Sequence, residues 1–170
     1  MQVTKLPNGL NVILDHRDNN SVCVEVSIAT GSNYESSNLA GASHFLEHMG
    51  FKGTKRRPKS IDLSSELDAL GASYNAFTSH NATAYYVTII PDKVEKAVDL
   101  LADLYLHSTC PDEEIKKERG VIIEEIKLYE DQPHFFVWDV FSKLAYAGTR
   151  AGQLVIGERA TVSAITRDDL

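Results

Sequence analysis

Three side chains able to bind a metal or move a proton lie together in the segment His44-Phe45-Leu46-Glu47-His48. The histidines are four positions apart, so on an α-helix both imidazoles lie on one side, about 40° apart around the axis. Neutral imidazole is a common zinc ligand, and Glu47 beside the pair can reach a water held at the metal. This HxxEH pattern predicts a hydrolytic zinc site. The alternative is that two histidines and a glutamate share a helix without any joint role.

A catalytic zinc site that keeps one position for water needs a third protein ligand. Residues 111–130 have helical periodicity, and at about 100° per residue Glu118 and Glu125 both fall inside the apolar arc of this helix. The arc is marked by Ile115, Val121, Ile122, Ile126 and Tyr129. Glu124, in contrast, lies near 240° on the opposite face. Inward-facing carboxylates need a compensating cation, so this helix is predicted to supply the missing ligand.

We expect Glu125 to be the third ligand and Glu118 to orient a zinc-bound histidine, which makes Glu118 a catalytic residue beside Glu47. Zinc-bound histidines usually donate their second N–H to a carboxylate or a carbonyl, which is the reason for this choice. Periodicity does not exclude the reverse assignment of the two acids. An ordinary ion-pair network with Arg or Lys is the other explanation of two inward acids.

The elements that must position these side chains segregate into blocks along the chain. Strands are predicted at residues 2–6, 10–16, 22–30, 72–79 and 82–90, and Asn8-Gly9 predicts a hairpin between the first two. Helices are predicted at residues 39–51, 61–70, 92–107, 111–130, 135–147 and 163–170. This order is typical of an α+β fold, with one largely antiparallel sheet covered by helices. Residues 1–170 are expected to form a single domain.

Composition narrows the class of protein. The chain has 17 basic and 24 acidic residues, a net charge of −7, which disfavours nucleic acid as a partner and suits basic peptides. No apolar run reaches the roughly 18 residues that span a bilayer, and the N-terminus lacks a signal core, so no membrane partner is expected. Cys23 and Cys110 are isolated and predict free thiols in a reducing compartment. A cytoplasmic location is therefore expected.

Three segments resemble the M16 family of metallopeptidases, the inverzincins, and among them mitochondrial processing peptidase and shorter bacterial insulinase-family proteases. They are GASHFLEHMGFKGT (residues 41–54), ELDALGASYNAFTSHNATAYYV (66–87) and CPDEEIKKERGVIIEEI (110–126). Glu125 also follows His48 by 77 residues, which agrees with the distant glutamate ligand of that family. The resemblance covers nearly the whole chain and implies the fold of a processing-peptidase-like metallohydrolase domain.

The resemblance implies that His44, His48 and Glu125 bind one zinc ion, with Glu47 as the general base and Glu118 in support. The activity it implies is zinc-dependent endopeptidase cleavage of peptides or presequence-like segments. Family members present the strand that matches residues 72–78 as an open edge, where an extended peptide substrate adds as a further strand. Asn75, Ala76 and Phe77 are therefore expected to bind substrate. The alternative is that Asn75 ends or bulges the strand and that Phe77 belongs to the core.

Family chains normally continue into a second domain of similar fold that closes a chamber over the zinc. That domain is absent here, so the catalytic domain is expected to be incomplete at its C-terminus, and a homo- or hetero-oligomer is expected to complete the chamber. A mature mitochondrial matrix protein is an alternative to the cytoplasm. A non-catalytic or partner-dependent subunit that binds zinc and peptide without turnover is the alternative function. A purely structural zinc domain is less favoured because such sites have four protein ligands and are rich in Cys.

Overall fold

The computed structural model describes residues 1–170, which form five strands and six α-helices. The strands are β1 (Gln2–Lys5), β2 (Asn11–Leu14), β3 (Val22–Ile28), β4 (Ser73–Thr78) and β5 (Thr83–Ile89). The helices are α1 (Ala42–Gly50), α2 (Ser60–Ala69), α3 (Val94–His107), α4 (Asp112–Glu130), α5 (Pro133–Ala145) and α6 (Arg159–Ala164). None of these helices combines the length and the apolar character needed to cross a bilayer.

The strands form two separate antiparallel sheets. One is the hairpin of β1 and β2, and the other has the order β3-β5-β4, so that β4 lies at an edge. The predicted α+β class with antiparallel pairing is confirmed. The hairpin does not extend the larger sheet, and its apolar side chains Val3 and Ile13 are each 61% exposed.

Helices α2 and α3 cover one face of the three-stranded sheet. Alternate residues of β5 point into this core because successive side chains of a strand face opposite ways. The buried members are Leu63, Leu67, Tyr85, Val87, Ile89, Ala97, Leu100, Leu101 and Leu104. Ala76 of β4 packs against the same core, which fixes the face that this edge strand turns inward.

A second core joins α1 to α4 and α6, and it brings the two motif-bearing helices together. Its members are Ala42, Phe45, Met49, Ile115, Ile122, Ile126, Val162 and Ile165. Phe45 and Met49 recur at helical spacing on α1, so the apolar stripe of this helix faces the stripe of α4. The same packing brings together polar residues that lie beside the two stripes.

The start of α1 is fixed by Gly41 and by a buried carboxylate. Gly41 has φ +95, and a Cβ there would lie 2.7 Å from the carbonyl oxygen of Ile156, so glycine is required both by conformation and by space. Glu35 accepts hydrogen bonds from the N–H groups of Gly41, at 2.8 Å, and Ser43, at 2.6 Å. A carboxylate at this position accepts hydrogen bonds from free N–H groups of the first turn, and its negative charge interacts favourably with the positive end of the helix dipole.

Two sequence expectations were wrong in this part of the fold. The last helix spans Arg159–Ala164 rather than 163–170, because the N–H of Glu158 donates to Oγ1 of Thr161 and fixes an earlier start. Further on, Asp169 accepts hydrogen bonds from the backbone and hydroxyl of Thr166, and such local bonds compete with a helix. Val121, which was placed in the apolar arc of α4, is 50% exposed.

The orientation of α4 can be tested with two neighbouring residues. Ile122 is fully buried and Val121 is half-exposed, so Ile122→Ala should lower the free energy of unfolding by about 2–5 kcal/mol. Val121→Ala should change it by less than about 0.5 kcal/mol. Urea denaturation of both variants measures the difference. Similar losses in the two variants would show that α4 is rotated from the orientation described.

Candidate active site

Helix α1 presents His44, Glu47 and His48 on one side. The imidazole ring centroids of His44 and His48 are 4.7 Å apart, with the rings inclined at 66°. Phe45 and Met49, on the adjacent stripe, are buried in the second core and hold this face of the helix in place. The HxxEH motif therefore has the helical geometry that its spacing predicts.

Helix α4 places Glu125 against both histidines. Oε2 of Glu125 lies 3.9 Å from Nε2 of His44 and 3.5 Å from Nε2 of His48. These three residues can each offer one ligand atom, and the atoms all lie within 4.8 Å of one another. Packing thus brings together two imidazoles and one carboxylate from segments far apart in sequence.

Glu118 lies on the other side of His48. The Nδ1–H group of His48 donates to Oε2 of Glu118 at 3.0 Å, and Nζ of Lys52 lies 2.6 Å from Oε1 of the same carboxylate. The side chain of Glu118 is only 7% exposed. Because Glu118 contacts Nδ1 and Glu125 faces Nε2, the two inward acids of α4 lie near opposite nitrogens of one ring.

His44 is the more buried of the two histidines, with a side chain 12% exposed against 22% for His48. Burial, together with the neighbouring His48, lowers the pKa of His44 to about 4, so its imidazole is neutral near pH 7. Its Nδ1 atom is buried and has no hydrogen-bond partner. Buried polar atoms without partners are rare in proteins, and this one is on the side of the ring away from Nε2, which faces Glu125.

Glu47 is held by the edge strand of the sheet. Oγ1 of Thr78, the last residue of β4, donates to Oε2 of Glu47 at 2.5 Å. Burial raises the pKa of Glu47, and the Thr78 hydrogen bond opposes that rise. A carboxylate with a raised pKa and a fixed orientation is suited to accept and return a proton.

An open cleft of about 640 Å³ lies over these residues. His44, Glu47 and Glu125 line it together with residues 75–78 of β4. Phe135 and Trp138 of α5 also line the cleft. The cleft is therefore bordered by a free strand edge and by aromatic side chains, and His44, Glu47 and Glu125 are accessible from it.

The donor set and its spacing fit a zinc ion. Ligands at about 2.0–2.1 Å in a tetrahedron are about 3.3 Å apart. The Glu125 to His48 separation of 3.5 Å is close to this value, and the Glu125 to His44 separation of 3.9 Å is wider. Two histidines and one carboxylate form a common catalytic set that keeps one position open. A neutral imidazole such as His44 can bind zinc, and the hydrogen bond from Nδ1 of His48 to Glu118 is the kind that orients a zinc-bound histidine.

Asn75, Ala76 and Phe77 lie in the middle of the edge strand and line the cleft. They pair one to one with Tyr86, Tyr85 and Ala84 of β5, so Asn75 neither ends nor bulges the strand. Phe77 is 44% exposed and does not belong to the core. The structural alternative for Asn75 and Phe77 is therefore wrong.

Sequence patterns missed several residues at the site. Thr78 contacts Glu47, and Lys52 contacts Glu118. Tyr129, Phe135 and Trp138 line the cleft. Lys52 follows His48 by four positions, which on a continuous helix would place it on the same face. Helix α1 ends at Gly50, however, so helical spacing does not locate Lys52. Thr78 had no signal, because its contact depends on how β4 packs beside α1.

Two named relatives match almost the whole chain. A Bacillus subtilis (strain 168) protein named uncharacterized zinc protease YmxG is 39% identical over 164 residues, 96% of this chain and 40% of that protein. The beta subunit of the Rattus norvegicus mitochondrial-processing peptidase is 39% identical over 169 residues, 99% of this chain and 34% of its own length. The chain thus spans about two fifths or less of the length of these relatives.

Solved structures give the same result. A Helicobacter pylori protease superposes with a TM-score of 0.90 at 26% identity, covering 99% of this chain and 41% of that one. The periplasmic protease PqqL of Escherichia coli superposes with a TM-score of 0.87 at 28% identity, covering 97% of this chain and 19% of that one. The family model described as insulinase (peptidase family M16) matches residues 11–159. This match takes in both motif-bearing helices and the edge strand, and the chain belongs to peptidase family M16.

Proposed function

We propose that this chain is the zinc-binding catalytic domain of an endopeptidase. The observation that carries the proposal is the position of Glu125, whose Oε2 lies 3.5 Å and 3.9 Å from the Nε2 atoms of His48 and His44. These three residues would hold one zinc ion. The relatives named zinc proteases support zinc as the cofactor.

Zinc bound there would polarise the scissile carbonyl and make an attacking water easier to deprotonate. Glu47 takes the proton from that water and delivers it to the leaving amine, while Thr78 holds the carboxylate in position. Glu118 orients His48 through Nδ1, which leaves Nε2 free to act as a ligand. The peptide bond is cleaved by net addition of one water.

The substrate we propose is an extended peptide that adds to the free edge of β4. The N–H of Ala76 donates to Oδ1 of Asn75 at 2.9 Å, so an incoming strand would displace this side chain and take its hydrogen bond. Phe77 is partly exposed beside the cleft and would contact the side chains of the peptide. Asn75, Ala76 and Phe77 are thus the proposed substrate-binding residues.

A non-catalytic or partner-dependent role is the second candidate, and the relative named as the beta subunit of a peptidase supports it. The chain spans 34% of a relative named as a peptidase subunit, and 40% of a bacterial relative. A second domain of similar fold, or an oligomer, would close a chamber over the site. One relative is named mitochondrial and one similar structure is named periplasmic, so the expected cytoplasmic location stays a prediction. The expected lack of nucleic-acid and membrane partners also stays a prediction.

The test combines a zinc measurement with a cleavage assay on the 170-residue chain. Elemental analysis should find about one zinc per chain, and mass spectrometry should detect cleavage of a basic, unstructured peptide. A chain without zinc would contradict both candidate functions. A chain that holds zinc and binds the peptide without cleaving it would favour the partner-dependent role.

A further inference from the structure

Lys52 connects the end of α1 to the carboxylate that orients His48. Its Nζ atom lies 2.6 Å from Oε1 of Glu118, whose Oε2 accepts the 3.0 Å hydrogen bond from Nδ1 of His48. Lys52, Glu118 and His48 therefore form one continuous chain of contacts. The last member of this series of contacts is the His48 ring, whose Nε2 faces Glu125.

Glu118 has no other partner that could hold it. Its side chain is 7% exposed, and its only ion-pair contacts are with Lys52 and His48. A buried carboxylate needs a compensating charge and hydrogen bonds to both oxygens. Without Lys52, Oε1 would lose its partner and the carboxylate would be free to turn away from His48.

The turn that carries Lys52 is held in a defined shape. Gly53 has φ +137, and a Cβ there would lie 2.5 Å from the carbonyl oxygen of Pro58. The next residue, Thr54, donates its N–H to the carbonyl of Arg57 at 2.7 Å and its hydroxyl to the fully buried Asp103 at 2.7 Å. Lys52 therefore reaches Glu118 from a fixed position rather than from a loose loop.

The balance of charge around the histidines also supports a role for Lys52. Glu47, Glu118 and Glu125 place three carboxylates around the two histidines, and Lys52 is the lysine that pairs with one of them. No arginine or other lysine forms an ion pair with these three acids. In their ionised forms, the three carboxylates and the ammonium leave two negative charges, which one divalent cation balances.

We propose that Lys52 is a positioning residue of the metal centre, acting through Glu118. By holding Oε1, it fixes the carboxylate that accepts the Nδ1–H of His48, and so it keeps Nε2 of that ring directed at the metal. The inference rests on the proposed zinc site and adds to it a residue outside the HxxEH motif. Its consequence is tighter zinc binding.

The test measures zinc affinity of the purified 170-residue chain by competition with a chromogenic chelator. Lys52→Met should weaken zinc binding on the order of 10-fold, the lower end of the range for residues that support metal ligands. Lys55→Met is the matched control, because Lys55 is exposed, lies in the same turn and forms no ion pair. It should bind zinc like the parent. Lys52→Ala, which also lacks a donor for Glu118, serves the same comparison if the methionine variant does not fold.

A double-mutant cycle separates positioning from a general effect on folding. If Lys52 acts through Glu118, Lys52→Met should have almost no effect in the Glu118→Gln background. An equal loss in both backgrounds, or unchanged affinity in Lys52→Met, would overturn the inference while leaving the zinc site intact. A parent chain that binds no zinc would overturn the proposed function as well.

Discussion

Glu47→Gln should keep the zinc of the parent chain and lower peptide hydrolysis by about 10²- to 10⁴-fold, the usual contribution of a general acid–base residue. Glutamine has nearly the same shape and can still accept the hydrogen bond from Thr78, so the packing around α1 should not change. It cannot take a proton from water. The loss should therefore appear in kcat, with little change in KM.

Zinc content measured on the same preparation is the control for this variant. Because Glu47 is not among the three clustered donors, elemental analysis should give the same metal content as the parent. Parent-level hydrolysis by Glu47→Gln would refute its assignment as the base. Loss of zinc together with activity would indicate that Glu47 binds the metal rather than transferring a proton.

Glu125→Gln should weaken zinc binding by more than about 100-fold. Replacing a residue that supports a ligand typically costs 10- to 100-fold in affinity, and removing one of the three proposed ligands should cost more. The amide keeps the size of the side chain but loses the charge that faces both Nε2 atoms. Chelator competition measures the affinity directly, without any assumption about activity.

The adjacent residue provides the matched control for that variant. Glu124 is 71% exposed and pairs only with Lys127, one turn along the outer face of α4. Glu124→Gln makes the same chemical change one position away and should leave zinc affinity unchanged. If the two variants lost zinc equally, the orientation of α4 described here would be wrong.

Much of the fold could be predicted because its signals are local. The spacing of His44 and His48 and the strand segments around the Asn8-Gly9 turn follow from helical and strand periods. Boundaries were less accurate where side chains bond to the nearby backbone, as Thr161 and Asp169 do. The hairpin itself was predicted, but its separation from the larger sheet was not, because alternating residues indicate a strand without showing which strand pairs with it.

Helical periodicity alone was enough to predict which faces of the two helices carry the proposed metal ligands, since a face depends only on a helical period of 3.6 residues. It left the roles of Glu118 and Glu125 interchangeable. The packing of α1 against α4 places Glu125 opposite the Nε2 atoms and Glu118 opposite the Nδ1 of His48. The tertiary structure also brought Thr78 to Glu47 and Lys52 to Glu118. The reason is that these contacts join segments distant along the chain, and their geometry depends on how the buried side chains between α1 and α4 pack.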